Sequence, residues 1–86
     1  MAATYNGPIR QAITTRYHGA TDTKGARVSA TAAAGRIYLP WDHALDIVQN
    51  HYAAAIALRD RFEWASALVG GGLSNCDYVW VLTDAP

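Results

Sequence analysis

Tyr78-Val79-Trp80-Val81-Leu82 is the strongest β segment in the chain, made only of β-branched, aromatic and aliphatic residues. Alternate side chains of a strand point to opposite faces, so Tyr78, Trp80 and Leu82 share one face and Val79 and Val81 the other. Both faces are apolar, which places the segment in the interior of a sheet rather than at an edge. Just upstream, Ser74-Asn75-Cys76-Asp77 is turn chemistry. Before it, Ser66 to Leu73 reads as a short strand loosened by Gly70-Gly71-Gly72.

Three more strands are predicted in the first half. Over residues 9–17, Ile9, Ile13 and Tyr17 share one parity, with Arg10, Thr14, Arg16 and His18 on the other. Gly19, Asp22 and Gly25 mark a turn. Val28, Ala30 and Ala32 then alternate with Arg27, Ser29 and Thr31. Ala33-Ala34-Gly35 is a tight connection in which Gly35 is free to take a positive φ. In the third strand Ile37, Leu39 and Trp41 point inward, Arg36 and Tyr38 outward, and Pro40 stops it.

Between the two groups of strands lies a helix. It either runs from an Asp42 cap to about Glu63, or restarts at Asn50 after a turn over 42–48. Val48, His51, Ala55, Leu58 and Phe62 form one stripe at 100° per residue. Trp41 and Trp64 bracket the helix and are expected to clamp it to the sheet. The predicted fold is α+β, βββ-α-ββ, a five-stranded, mostly antiparallel sheet with one helix packed on one face. It occupies a single domain over 9–83, after a flexible lead-in at 1–8 and before a tail at 84–86.

The chain has 86 residues with seven Lys+Arg against seven Asp+Glu, a formal charge of zero. Neutrality excludes a wholesale polycation and an acidic mimic built on net charge. It hides a segregation, however. Residues 1–36 hold Arg10, Arg16, Lys24, Arg27 and Arg36 against Asp22 alone, whereas six of the seven acidic residues lie in 37–86. Hydrophobic residues make up 51%, but 17 positions are Ala, which contributes little burial. No window approaches the ~20 apolar residues of a spanning helix. Residues 1–8 resemble no secretory signal, so a cytoplasmic setting is expected.

The outward residues of the first three strands are the candidate site: Arg10, Arg16, His18, Arg27, Ser29, Arg36 and Tyr38. One helix covers one face only. The other is an open, Arg-rich face with an aromatic, suited to an acidic protein surface or to single-stranded nucleic acid. Polarity is also simply what an uncovered antiparallel face requires. Trp80 joins this group if its parity set, rather than that of Val79 and Val81, faces away from the helix. Tyr78, Trp80 and Leu82 would then form an exposed stripe beside the Arg residues.

Other chemistry finds little support. His43 and His51 stand about 12 Å apart on a continuous helix, too far to share a metal. A turn at 42–48 brings them closer, with Asp42 or Asp46. The single Cys76 leaves no disulfide and no Cys/His zinc set, and the neighbouring Asp77 works against a nucleophilic thiolate. Gly70-Gly71-Gly72 is followed by neither Lys-Ser/Thr nor a helix, so it is not a phosphate loop. A bulge or a close approach of Trp64 or backbone explains it. No metal, cofactor or catalytic pair is expected.

The string ITTRYHGATDTKGARVSA, with LPWDHAL, NHYAAA, Trp64, LVGGG and YVWVL, resembles a family of small, largely uncharacterised accessory proteins of bacterial phages, prophages and plasmids. The similarity spans about residues 11–82. In that family the helix usually ends in Gly-Trp; here Glu63 stands in the Gly position. The resemblance implies a mobile-element role and transfers no catalytic residue. Small phage proteins without enzymatic motifs include inhibitors of host defence such as anti-CRISPR proteins, an analogy of size and setting. The expectation is therefore a non-enzymatic binder of a host protein or ribonucleoprotein complex in the bacterial cytoplasm, with single-stranded nucleic acid as the alternative partner. It has no membrane role. A homodimer is open to it if the first or fourth strand is a sheet edge.

Overall fold

The structure, a computed structural model, describes residues 3–7 and 9–83. Its elements are β1 (Ala12–His18), β2 (Arg27–Ala32), β3 (Gly35–Pro40), α1 (Ile47–Arg61), β4 (Leu68–Gly72) and β5 (Tyr78–Leu82). The five strands form one antiparallel sheet in the order β3-β2-β1-β5-β4. The βββ-α-ββ arrangement and the interior place of β5 follow the residue pattern. β1 is central, so of the two candidate edges only β4 is one; β3 is the other. The tail expected at 84–86 lies outside the described residues, as does part of the lead-in at 1–8.

The registers settle which side chains share a face. Ile13 stands opposite Trp80, Thr15 opposite Tyr78 and Ala30, and Val28 opposite Tyr17 and Leu39. These residues face α1. Ile13, Val28, Ala30, Trp80 and Leu82 from the sheet meet Ala54, Ala55 and Leu58 from the helix in the core. The buried alanines contribute proximity rather than area: with nothing beyond Cβ at the contact, helix and sheet approach closely. Larger side chains supply the area, at about 2 kcal/mol for a fully buried Leu such as Leu58. Ile9, expected inward, is 86% exposed. Among the described residues the pairing with β5 runs out at Gln11, whose carbonyl accepts the Leu82 N–H.

The helix begins at neither expected place. Asp46 is the cap, its carboxylate accepting the Gln49 N–H at 2.8 Å. Asn50 is buried inside the first turns. Its side chain accepts the Asp42 N–H at 2.8 Å and donates to the carbonyls of Asp42, Leu45 and Asp46. Asp42 instead caps a turn, accepting the Ala44 N–H. His51, Ala55, Leu58 and Phe62 of the predicted stripe do pack inward, but Val48 is 43% exposed. The reason is lateral: α1 lies across β1, β2 and β3 and meets β5 only at its margin, leaving Val48 over the β4 side.

At the other end, the Glu63 N–H donates to the Asp60 carbonyl and the Trp64 N–H to the Arg59 carbonyl, the two bonds of a Schellman motif. Glu63 occupies its left-handed position at φ 58. A position that suits glycine is thus held here by a residue that carries a Cβ. Trp41 packs edge-on against Tyr17 of β1 and His51 of α1 and so braces the helix against the sheet, whereas Trp64 stacks on Phe62 at the helix's own end, at 5.3 Å.

Two glycines are explained by side chains rather than by φ. Gly35 has no positive φ; a Cβ there would stand 3.0 Å from Phe62 Cζ. Gly70 lies opposite Trp80, and a Cβ would come within 2.5 Å of the indole. The glycine run therefore admits Trp80, not Trp64 or a backbone.

Candidate functional site

Adjacent antiparallel strands bring residues of one parity into transverse rows, and on the uncovered face these rows are polar. Arg16 stands opposite Ser29, which stands opposite Tyr38. His18 pairs with Arg27, and Thr14 with Thr31 and then Arg36. Six of the eight predicted site residues, Arg16, His18, Arg27, Ser29, Arg36 and Tyr38, are thereby brought together. Arg10 lies two residues before β1, outside the ladder. Trp80 is on the opposite face, only 6% exposed under the helix, so the aromatic stripe beside the Arg residues is not formed. Its place is taken by Val79 and Val81, with Val69 of β4 alongside.

Each group is held by a neighbour. Arg16 Nε donates to Asp77 Oδ2 at 3.1 Å, forming an ion pair whose carboxylate is largely buried. Asn75 Nδ2 also donates to Asp77. Arg36 donates from Nε to the Thr31 hydroxyl at 2.9 Å and from a terminal nitrogen to the Tyr38 hydroxyl at 3.4 Å. The Arg27 guanidinium lies over the Tyr38 ring, 5.6 Å from its centroid, within cation–π range. His18 meets the same ring edge-on, and its Nε2 is 2.9 Å from the Ser29 hydroxyl. Burial first, then Arg27, Arg16 and Arg36, pushes the His18 imidazole below its ordinary value against the opposing pull of Asp77. His18 is therefore neutral here at pH 7. Two guanidinium groups, of Arg16 and Arg36, and the Asp77 carboxylate line a polar depression of about 260 Å³ together with Thr14, His18, Ser29 and Thr31.

One donor has no acceptor. Arg27 Nη1 is buried with no hydrogen-bond partner among the described residues. Buried donors are ordinarily paired, because leaving one unpaired forfeits its hydration. The contact the guanidinium does make is with the face of the Tyr38 ring.

Sequence reasoning missed Asp77 on this face, reading it only as a turn residue. The signal was its parity, which it shares with Val79. It also missed Thr15, which lies on the covered face. Thr15 Oγ1 accepts the Trp80 Nε1–H at 3.0 Å, lies 2.7 Å from His51 Nδ1, and is within 3.4 Å of the Tyr78 carbonyl. His51 is thus a core histidine, braced by Thr15, Trp41 and Tyr78. His43 sits exposed in the turn before the helix. Among the described residues no three His, Cys, Asp or Glu side chains converge to hold a metal ion. Nor is any helix long and apolar enough to cross a membrane. Cys76 is exposed, at φ 69 in the β4–β5 turn. No protein-family model, curated protein or solved structure matches this chain.

Proposed function

We propose that the chain is a non-enzymatic binding protein that docks through its uncovered sheet face onto a carboxylate-bearing surface of a host protein or ribonucleoprotein, occluding it. The observation that carries this reading is the gathering of Arg16, Arg27 and Arg36 on one uncovered face, Arg16 and Arg36 lining one depression and Arg27 lying over Tyr38. Guanidinium groups bind carboxylates through paired, charge-assisted hydrogen bonds. The character of the rest of the face favours protein over nucleic acid. Tyr38 is the one half-exposed aromatic ring there, and Arg27 already occupies a face of it. Base stacking needs free aromatic faces. Beside the basic part, Val69, Val79 and Val81 supply apolar surface that suits the core of a protein interface. The resemblance to mobile-element accessory proteins supports a bacterial setting and a host defence complex or nuclease as the target class.

The test is capture from bacterial host lysate by tagged chain, with and without nuclease, alongside the Arg27→Glu/Arg36→Glu variant. A discrete protein complex that survives nuclease and is lost in the variant is the expected result. Capture abolished by nuclease, together with steeply salt-dependent binding of single-stranded oligonucleotides, would transfer the face to nucleic acid. Capture unaffected by the double variant would overturn the site.

A further inference from the structure

The two edges of the sheet are unlike. β3 carries Arg36 and ends in Pro40, both features that blunt an edge against further pairing. β4 carries neither. No charged residue and no proline occurs from Ala65 to Cys76, and the register of β4 against β5 is continuous, without a bulge.

The ladder fixes which main-chain groups of β4 are unused. The Thr83 N–H donates to the Ala67 carbonyl and the Leu73 N–H to the Asp77 carbonyl, so Ala67 and Leu73 turn their polar groups toward β5. Alternation then turns those of Val69 and Gly71 the same way, and those of Leu68, Gly70 and Gly72 outward. Among the described residues no strand pairs with that outer side.

The same five residues complement themselves. A two-fold axis through Gly70 sets Leu68 opposite Gly72 of a second copy, Gly70 opposite Gly70, and Gly72 opposite Leu68. All three are outward-facing positions, so this register makes every unused N–H and C=O a hydrogen-bonded pair. On the uncovered face the same axis sets Val69 opposite Gly71. Each large side chain thus meets a position without one. On the helix side a hollow of about 250 Å³, bounded by Val48, Gly70, Gly71, Gly72, Tyr78 and Trp80, lies beside Gly72, where Leu68 of the second copy would stand. The chain is neutral overall and this edge is uncharged, so two copies meet without like-charge repulsion.

We propose that β4 is a self-association edge, pairing antiparallel about Gly70 with β4 of a second copy to form a continuous ten-stranded sheet. The two Arg clusters then lie toward opposite ends of one face, with the valines of both copies between them. This inference is independent of which partner the Arg face takes.

Sedimentation equilibrium over a concentration series tests it. The wild-type chain is expected to move toward twice its 9.3 kDa mass. Val69→Lys changes a side chain 60% exposed in the single chain, leaving the fold intact by circular dichroism. It is expected to weaken the dimer by at least about tenfold by placing charge in the seam. Gly72→Pro removes one outward N–H and should do the same. Arg27→Glu/Arg36→Glu should leave the dimer unchanged. A chain that stays monomeric throughout the series would overturn the proposal. So would a dimer that persists in both β4 variants, or one lost only in the Arg variant, which would put the contact elsewhere.

Discussion

His51 Nδ1 lies 2.7 Å from the Thr15 hydroxyl, across the helix–sheet interface and 36 residues away in sequence. The same hydroxyl accepts the Trp80 Nε1–H, so one buried oxygen joins β1, β5 and α1. The hydroxyl also donates to the Tyr78 carbonyl at 3.4 Å, so it is engaged on three sides. A strand residue that is polar and wholly buried thereby becomes the point at which helix and sheet are registered.

Thr15→Val removes that oxygen at nearly constant volume and leaves Trp80 Nε1–H and His51 Nδ1 unpaired. A loss of about 2–4 kcal/mol in urea unfolding is expected, since each orphaned buried group costs about 1–3 kcal/mol. Thr15→Ser retains the oxygen and should cost about 1 kcal/mol, mainly for the lost methyl. Equal losses in the two variants would show that the hydroxyl contributes nothing.

Burial pushes the His51 imidazole below its ordinary value, outweighing the opposite effects of Asp77 and of the bond at Thr15; His18 is lowered as well. The unfolded chain, with histidines near 6.5, binds more protons than the folded one as the solution is acidified. Stability is therefore fully present above about pH 6.5 and is lost as pH falls through the folded values. Unfolding midpoints measured between pH 7.5 and 5.5 should decline, with a shallower decline in His51→Gln. A flat profile for the wild-type chain would contradict a buried neutral His51.

Glu63 holds a left-handed conformation that costs an L-residue about 1 kcal/mol and a glycine almost nothing. Glu63→Gly should raise stability by about 0.5–1 kcal/mol, after allowance for the greater freedom of glycine in the unfolded chain. Thermal melts would register this as a higher midpoint. Glu63→Ala, which keeps a Cβ, should not share the gain.

Gly70 and Gly71 are neighbours with opposite demands. A Cβ at Gly70 meets the Trp80 indole, which cannot swing aside while Thr15 holds its Nε1–H. Gly70→Ala should cost about 1–3 kcal/mol, the usual range for overpacking. A Cβ at Gly71 finds Val79 at 3.7 Å, an ordinary contact. Gly71→Ala should be neutral or mildly stabilising, and Trp fluorescence should shift only in the Gly70 variant.

By itself the sequence determined the five strands, the single helix, the interior position of β5 and the segregation of charge between the two halves of the chain. These follow from periodicity and turn residues, which act over a few positions. Parity also grouped Arg16, His18, Arg27, Arg36 and Tyr38 correctly, because a pleat enforces alternation whatever the tertiary context. It could not tell which of the two apolar faces of β5 the helix would cover. That choice rests on burial summed over several strands, and it sent Trp80 inward and left Val79 and Val81 half-buried on the uncovered face. The helix start depended on Asn50 reaching eight residues back to Asp42, a contact with no periodic signature. Asp77 entered the basic face only because β5 pairs with β1, bringing a carboxylate from the acidic half beside Arg16. Local periodicity specifies which residues face together; only the closing of the sheet decides what they face.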